Sequence, residues 1–305
     1  MSARLALPLA GPAGEPVDFM RSLLSHGVAD LPPFFIDRDH RALTVTLSLG
    51  RSVRTVEITE AGNQRLAIRV RGPAPSPSMQ AAIRREVRNI LRLDEDLSRF
   101  FAVIARDPAL AWAASGAGRL IRCQTVFEDV IKTICTTNCA WSATVRMVDG
   151  LVRHLGRHAP GAPANTTQGR AFPTPETLAD VPDAFYRDTI RAGYRGPYIK
   201  AIARDVAEGK LDLAPIDAGH PARWPDDEAE ERLLALPGVG PYAAAHILMM
   251  RGRYSRLVLD SWTRPTYARL VGRRAVSDAA IQKRFRPHGP FAGLAFWLFV
   301  TRNWL

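Results

Sequence analysis

The stretch Glu231–Tyr267, ERLLALPGVGPYAAAHILMMRGRYSRLVLDSWTRPTY, constrains this chain more than any other. Its pattern predicts a helix ending at Leu236, a four-residue turn, a second helix starting at Pro241, a loop and a third helix. Pro237 cannot continue the first helix, and Gly238 and Gly240 supply the backbone freedom of a tight hairpin. Proline at 241 costs nothing, because the first helical N–H has no intrahelical partner. Ala243, Ala244 and Ala245 favour helix and permit close packing. Such a turn is also a good anion site. The amides of Val239, Gly240 and Tyr242 can point outward together with the helix dipole behind them. The LPGVG turn alone leaves two readings open, a phosphate clamp and an ordinary helical hairpin.

The chain has 305 residues, 47% of them hydrophobic, enough for a large core in one big domain or two. A net charge of +11 favours a polyanionic partner. Between Arg251 and Leu305 there are 11 basic and 2 acidic residues, so this segment is the expected phosphate-facing surface. Three cysteines, Cys123, Cys135 and Cys139, make no disulfide framework. No apolar run is long enough to span a membrane, and MSARLALPLAGPAGEP reads as a loose lead, with no signal peptide. The expectation is a cytoplasmic (nucleoid-associated) protein, a monomer with reduced thiols.

Read in order, residues 1–17 form a Pro/Gly/Ala-rich disordered lead. Asp18–Ser25 reads as a short helix. Leu43–Leu49, Val53–Ile58 and Leu66–Val70 alternate apolar and polar side chains, as strands of one antiparallel sheet do. Gly72–Ser78 is a Pro-rich linker that closes an N-terminal domain over 18–78. From 79 to 305 the pattern is helical, with helices over Met79–Leu91, Asp94–Ala105, Thr125–Thr137, Ser142–Leu155, Thr174–Ala179, Pro182–Ala192 and Arg195–Glu208. His158–Arg170 reads as a polar loop, and Asp226 or Asp227 as the N-cap of the hairpin's first helix. Ser277–Phe285 and the apolar Pro290–Trp304 complete the body. The fold class is α+β: a small antiparallel β domain, then a mostly α-helical body.

LPGVGPYAA followed by LVLDSW resembles the helix-hairpin-helix (HhH-GPD) DNA glycosylase superfamily, in particular its 3-methyladenine glycosylase II and 8-oxoguanine glycosylase branches. GRLIRCQTVFEDVIKTICTTNCAW (Gly118–Trp141) and AGYRGPYIKAIARDV (Ala192–Val206) resemble two further family segments, so the likeness covers roughly residues 80–305 in order. It implies that Asp260 is the catalytic carboxylate, which opposes the positive charge that builds on the sugar as the base leaves. Asp is also a common N-cap, and the two roles are compatible. Where bifunctional members carry a nucleophilic lysine, this chain has Tyr242, which cannot form an imine. The only lysines are Lys132, Lys200, Lys210 and Lys283.

The resemblance further implies that Asn138 plugs the gap left by a flipped nucleotide, with Tyr194 as wedge and Arg195 on the estranged base. Asn138 as a helix cap is the plainer alternative. The family's second arginine falls near Ala143, where Arg146 could substitute. Tyr242, His246, Trp262, Phe296 and Trp297 are the expected base pocket, an electron-rich cage suited to a cationic alkylated purine. No cysteine follows Cys139, so no iron–sulfur cluster is expected. A structural K+ or Na+ at the hairpin carbonyls near Leu236 and Val239 is implied by the family alone. The expected activity is a monofunctional DNA N-glycosylase of base-excision repair acting on double-stranded DNA, with an 8-oxoguanine glycosylase as the alternative. From a different class, a non-catalytic helix-hairpin-helix DNA-binding protein is a third reading.

Overall fold

The computed structural model describes residues 3–163 and 166–304; parts of the N-terminal lead and of the 158–170 loop, at 1–2 and 164–165, lie outside the described residues. Alternating apolar side chains build five strands: β1 (Ala3–Pro8), β2 (Phe34–Asp37), β3 (Ala42–Leu49), β4 (Ser52–Glu60) and β5 (Arg65–Val70). They form one antiparallel sheet in the order β1-β5-β4-β3-β2. The lead therefore corrects the sequence reading. Leu5, Leu7 and Leu9 recur with the period of a strand and are buried, and β1 pairs with β5 with Leu5 opposite Ile68 and Leu7 opposite Leu66. Apart from Pro8 at the end of β1, the Pro and Gly content that suggested disorder falls in the turn after them, where Glu15 is buried against Arg119 (2.6 Å).

Helix α1 (Phe19–Leu23) is capped by Asp18, and α2 (Pro77–Leu91) by Ser76. The Pro-rich linker does not separate two cores, because α2 lays Ile83, Val87 and Ile90 on the sheet together with Ile121 and Cys123. That is a second correction: the sheet needs a cover for its apolar face, and the first helix after the linker supplies it.

The body continues with α3 (Ser98–Ile104), α4 (Val126–Thr136), α5 (Trp141–Leu155), α6 (Pro175–Asp180) and α7 (Arg195–Ala207). The expected helix over Pro182–Ala192 is only a wide π-type turn, Phe185–Thr189. Then come α8 (Asp226–Leu234), α9 (Pro241–Met250), α10 (Thr263–Leu270), α11 (Asp278–Phe285) and α12 (Ala292–Thr301). Neither Asp226 nor Asp227 caps α8. Pro225 stands at that position, and the two carboxylates hold Arg253 and Arg256 instead. None of these helices is long and apolar enough to cross a membrane.

Candidate active site

Helix α9 lies at the seam of two cores. Ala243, Ala244, Ile247 and Leu248 face α4, α5, α7 and α8, whereas Ala245 and Met249 face α3 and α10–α12. A helix enclosed on all sides must be apolar around its circumference, which is what PYAAAHILMM provides. Tyr242 packs against both cores, so the start of α9 is where they open toward the surface.

The turn before α9 is held by sterics. Gly238 has φ +82°, and a Cβ there would stand 2.8 Å from the Tyr198 ring. The Val239 amide does not point outward as expected: it donates to the Leu236 carbonyl at 3.1 Å and closes the turn. The amides of Gly240, Tyr242 and Ala243 find no acceptor among the described residues. Nothing lies within 4 Å of where a Gly240 Cβ would be, so a phosphate can approach closely.

Asp260 ends the loop from α9 to α10. Its Oδ1 accepts from the amides of Trp262 (2.9 Å) and Thr263 (2.6 Å), while its own amide donates to Thr263 Oγ1 (2.8 Å). These reciprocal bonds satisfy the first turn of α10 and lock the carboxylate in place. No bond engages Oδ2 among the described residues. Asp260 thus caps the turn that leads into α10, where the N-cap position itself is Trp262, and one carboxylate oxygen stays unengaged. Pro265 is the third residue of α10, inside the turn that tolerates it.

An aromatic cage adjoins this carboxylate. The rings of Tyr242 and His246 stand 5.9 Å apart, those of His246 and Trp297 5.8 Å, and those of Trp262 and Trp297 6.2 Å. Trp304 closes the outer side, 5.4 Å from Trp262 and 6.0 Å from Trp297. Burial pushes the Tyr242 hydroxyl above its ordinary pKa, and the negative charge of Asp260 adds to that shift. Burial also drives His246 down to about 3, with neighbouring His26 pushing the same way, so the cage floor is uncharged. Phe296 is not part of the cage. It is fully buried and packs on Tyr267 and Phe285, as aromatic residues at helical spacing commonly do.

Across the opening, Asn138 follows the end of α4 with φ +46°, a conformation that Asn tolerates better than most residues. Its Nδ2 donates to Tyr194 Oη at 3.5 Å, so the two residues expected as plug and wedge are brought together. Tyr194 is half exposed. Arg195 differs from expectation. It is buried, donates to the carbonyls of Thr137 and Ala192, and lies 4.4 Å from the Tyr194 ring. Its guanidinium holds the two loops together and does not reach outward. Arg146 on α5 is exposed.

No protein-family model matches the chain. A probable N-glycosylase/DNA lyase of Methanothermobacter thermautotrophicus is 30% identical over 229 residues, 67% of this chain and 69% of that protein. The chain belongs to the helix-hairpin-helix DNA glycosylase superfamily. Its fold is that of the 3-methyladenine DNA-glycosylase from Archaeoglobus fulgidus, with a TM-score of 0.73, 18% identity and coverage of 99% of both chains. It is likewise that of the Clostridium acetobutylicum 8-oxoguanine glycosylase/lyase solved with double-stranded DNA, with a TM-score of 0.70, 18% identity and coverage of 100% and 99%.

Three features of this glycosylase escaped the sequence. His26 packs edge-on against His246 at 5.5 Å, although 220 positions separate them and no local motif marks the pair. Trp304 lies in a segment legible only as apolar. The basic C-terminal segment is also less free than its count suggests. Arg251 and Arg253 are buried, and Arg256, Arg264 and Arg284 are paired with Asp227, Asp278 and Asp107. Arg269, Arg273, Arg274, Lys283 and Arg286 stay exposed with no ion pair among the described residues.

Proposed function

We propose that this glycosylase is monofunctional and excises an alkylated purine from duplex DNA, with water as the nucleophile. The observation that carries the reading is Asp260: one oxygen pinned, the other unengaged, beside an uncharged aromatic cage and with no amine on α9, α10 or the loop between them. A fixed carboxylate opposes the cationic sugar of the departing base and orients the attacking water, at no cost of reorganisation. A cationic base is drawn to the faces of Tyr242, Trp262 and Trp297 by stacking and cation–π attraction. The amides at the start of α9 would hold a phosphate 3′ of the lesion, and Asn138 with Tyr194 would fill the gap. A structural K+ or Na+ suits the hairpin carbonyls. That of Val239 accepts no amide among the described residues, while that of Leu236 already accepts the Val239 N–H.

A lyase needs an amine nucleophile. Lys132 is fully buried against Glu128 at 2.8 Å, Lys200 and Lys210 are paired with Asp183 and Glu208, and Lys283 lies on α11, outside the segment from α9 to α10 that carries Asp260. The test is release of free bases from a panel of single-lesion duplexes and from methylated DNA. Methylated purines are the expected product, with the strand intact until alkali is added. Efficient release of 8-oxoguanine alone, or a covalent adduct trapped by borohydride, would overturn the reading.

A further inference from the structure

The cage contains polar atoms that the account so far leaves idle. His26 sits in the sheet-domain loop Ser25–Gly27, which is anchored to the helical body by Trp297 Nε1 donating to the Ser25 carbonyl at 2.7 Å. Nε2 of His26 lies 2.6 Å from the Ile121 carbonyl. A carbonyl oxygen can only accept, so Nε2 carries the proton and Nδ1 keeps a bare lone pair. Nδ1 is buried and has no partner among the described residues, and the same is true of both ring nitrogens of His246. Native interiors seldom leave such atoms unpaired, because the desolvation penalty goes uncompensated. Three such nitrogens on two touching rings, packed against Tyr242 and Trp297, are left without a partner for a polar ligand edge to meet.

We infer that His26 is a specificity-determining residue whose Nδ1 accepts a hydrogen bond from the exocyclic amino group of a flipped, alkylated adenine, with His246 completing the reading of that edge. The inference rests on the excision of alkylated purines proposed above and names which purine. A cationic alkyladenine spreads positive charge onto its amino group, making it a strong donor. The fixed tautomer of His26 offers only a lone pair in that place. A guanine presents its O6 carbonyl there, and lone pair would face lone pair. A site with a dedicated acceptor rejects a base that cannot donate far more sharply than shape alone would. His246, whose two nitrogens are both unassigned, can donate or accept and so adapts to the neighbouring ring atom.

The experiment treats duplex DNA with a methylating agent and separates the released bases by chromatography. It compares wild type with His26→Phe, which keeps an aromatic ring and removes the acceptor. Both products come from one reaction, so their ratio is insensitive to the fraction of active protein. The 3-methyladenine to 7-methylguanine ratio should fall by about tenfold or more in the variant. A ratio unchanged within about twofold, whatever the total yield, would mean a packing role and overturn the inference. In wild type, the Nδ1 nitrogen resonance of His26 should move to its hydrogen-bonded position on binding a duplex with a non-hydrolysable alkyladenine analogue. An unmoved resonance overturns the inference even where the variant does not fold. Release of neither base by wild type would remove the alkylated-purine reading itself, an outcome distinct from a constant ratio.

Discussion

At the scale of single residues, the site depends on side chains that do two jobs. Asp260 caps the turn leading into α10 through Oδ1 and leaves Oδ2 unengaged among the described residues, so substitutions can separate the roles. Asp260→Asn keeps an oxygen for the cap but no charge, and should lower single-turnover excision by about a hundredfold or more, roughly 3 kcal/mol of barrier, with an unchanged Tm. Asp260→Ala should lose the cap as well, costing about 1 kcal/mol of stability in urea titration. Excision by the Asn variant at near the wild-type rate would leave Asp260 a cap only. His246 illustrates a different coupling. Burial, aided by His26, drops its pKa from the ordinary 6.5 to about 3. Between those values the unfolded chain binds a proton that the folded chain refuses. Stability from this group is thus complete above pH 6.5 and falls as pH drops toward 3, by about 1.4 kcal/mol per pH unit. His26, also lowered by burial, acts in the same direction. His246→Phe should flatten the acid limb of a stability–pH curve measured by urea midpoints between pH 4 and 6, and an unaltered slope would refute the assignment.

At the scale of elements, the hairpin α8–α9 is specified by its turn. Gly238→Ala imposes a side chain where φ is +82° and the Tyr198 ring lies 2.8 Å away. It should cost about 1–3 kcal/mol and weaken DNA binding, read by thermal unfolding and by filter binding. Gly240→Ala meets no atom within 4 Å inside the protein. It should leave the Tm near wild type while weakening DNA binding, because the new methyl group faces the phosphate. Elements with strong local signals were legible in the sequence: the Pro–Gly turn, the three alternating strands, the helices with Ser or Thr caps. Those settled by partners were not. β2 (Phe34–Asp37) is too short to carry a pattern of its own and is a strand because β3 pairs with it. Arg195 looks like a surface residue beside two glycines, yet the end of α4 offers a carbonyl that draws it inward. Phe296 and Trp297 are adjacent on α12 and face opposite ways, one into the core and one into the cage. Sequence spacing alone left that division open.

At the scale of the whole molecule, the candidate site lies where three bodies meet. The sheet domain contributes His26, the helices around α9 contribute Tyr242 and His246, and the C-terminal helices contribute Asp260, Trp262, Trp297 and Trp304. This is why the sequence singled out Asp260 as the expected catalytic carboxylate but gave no sign of His26: a contact between positions 26 and 246 has no local pattern. Net charge is distributed on the same scale. The +11 total suggests a broad cationic surface, yet many arginines are consumed internally, as in the buried pair of Arg251 with Asp129 at 2.5 Å. The charge left for DNA in the C-terminal third is concentrated in Arg269, Arg273 and Arg274 at the end of α10 and in Lys283 and Arg286 around α11. Each such residue that neutralises one phosphate adds about one unit to the slope of log affinity against log salt. The double variant Arg273→Ala, Arg274→Ala should weaken binding to lesion-bearing and undamaged duplexes equally. It should reduce that slope by about two, leave the Tm unchanged, and spare the rate of base release at saturating enzyme. Arg256, tied to Asp227 and to Glu230 at 2.7 Å, is the control: its removal should lower stability and leave the salt slope where it was. The opposite pattern, with Arg256 carrying the slope, would place the DNA on the α8 side of the hairpin instead.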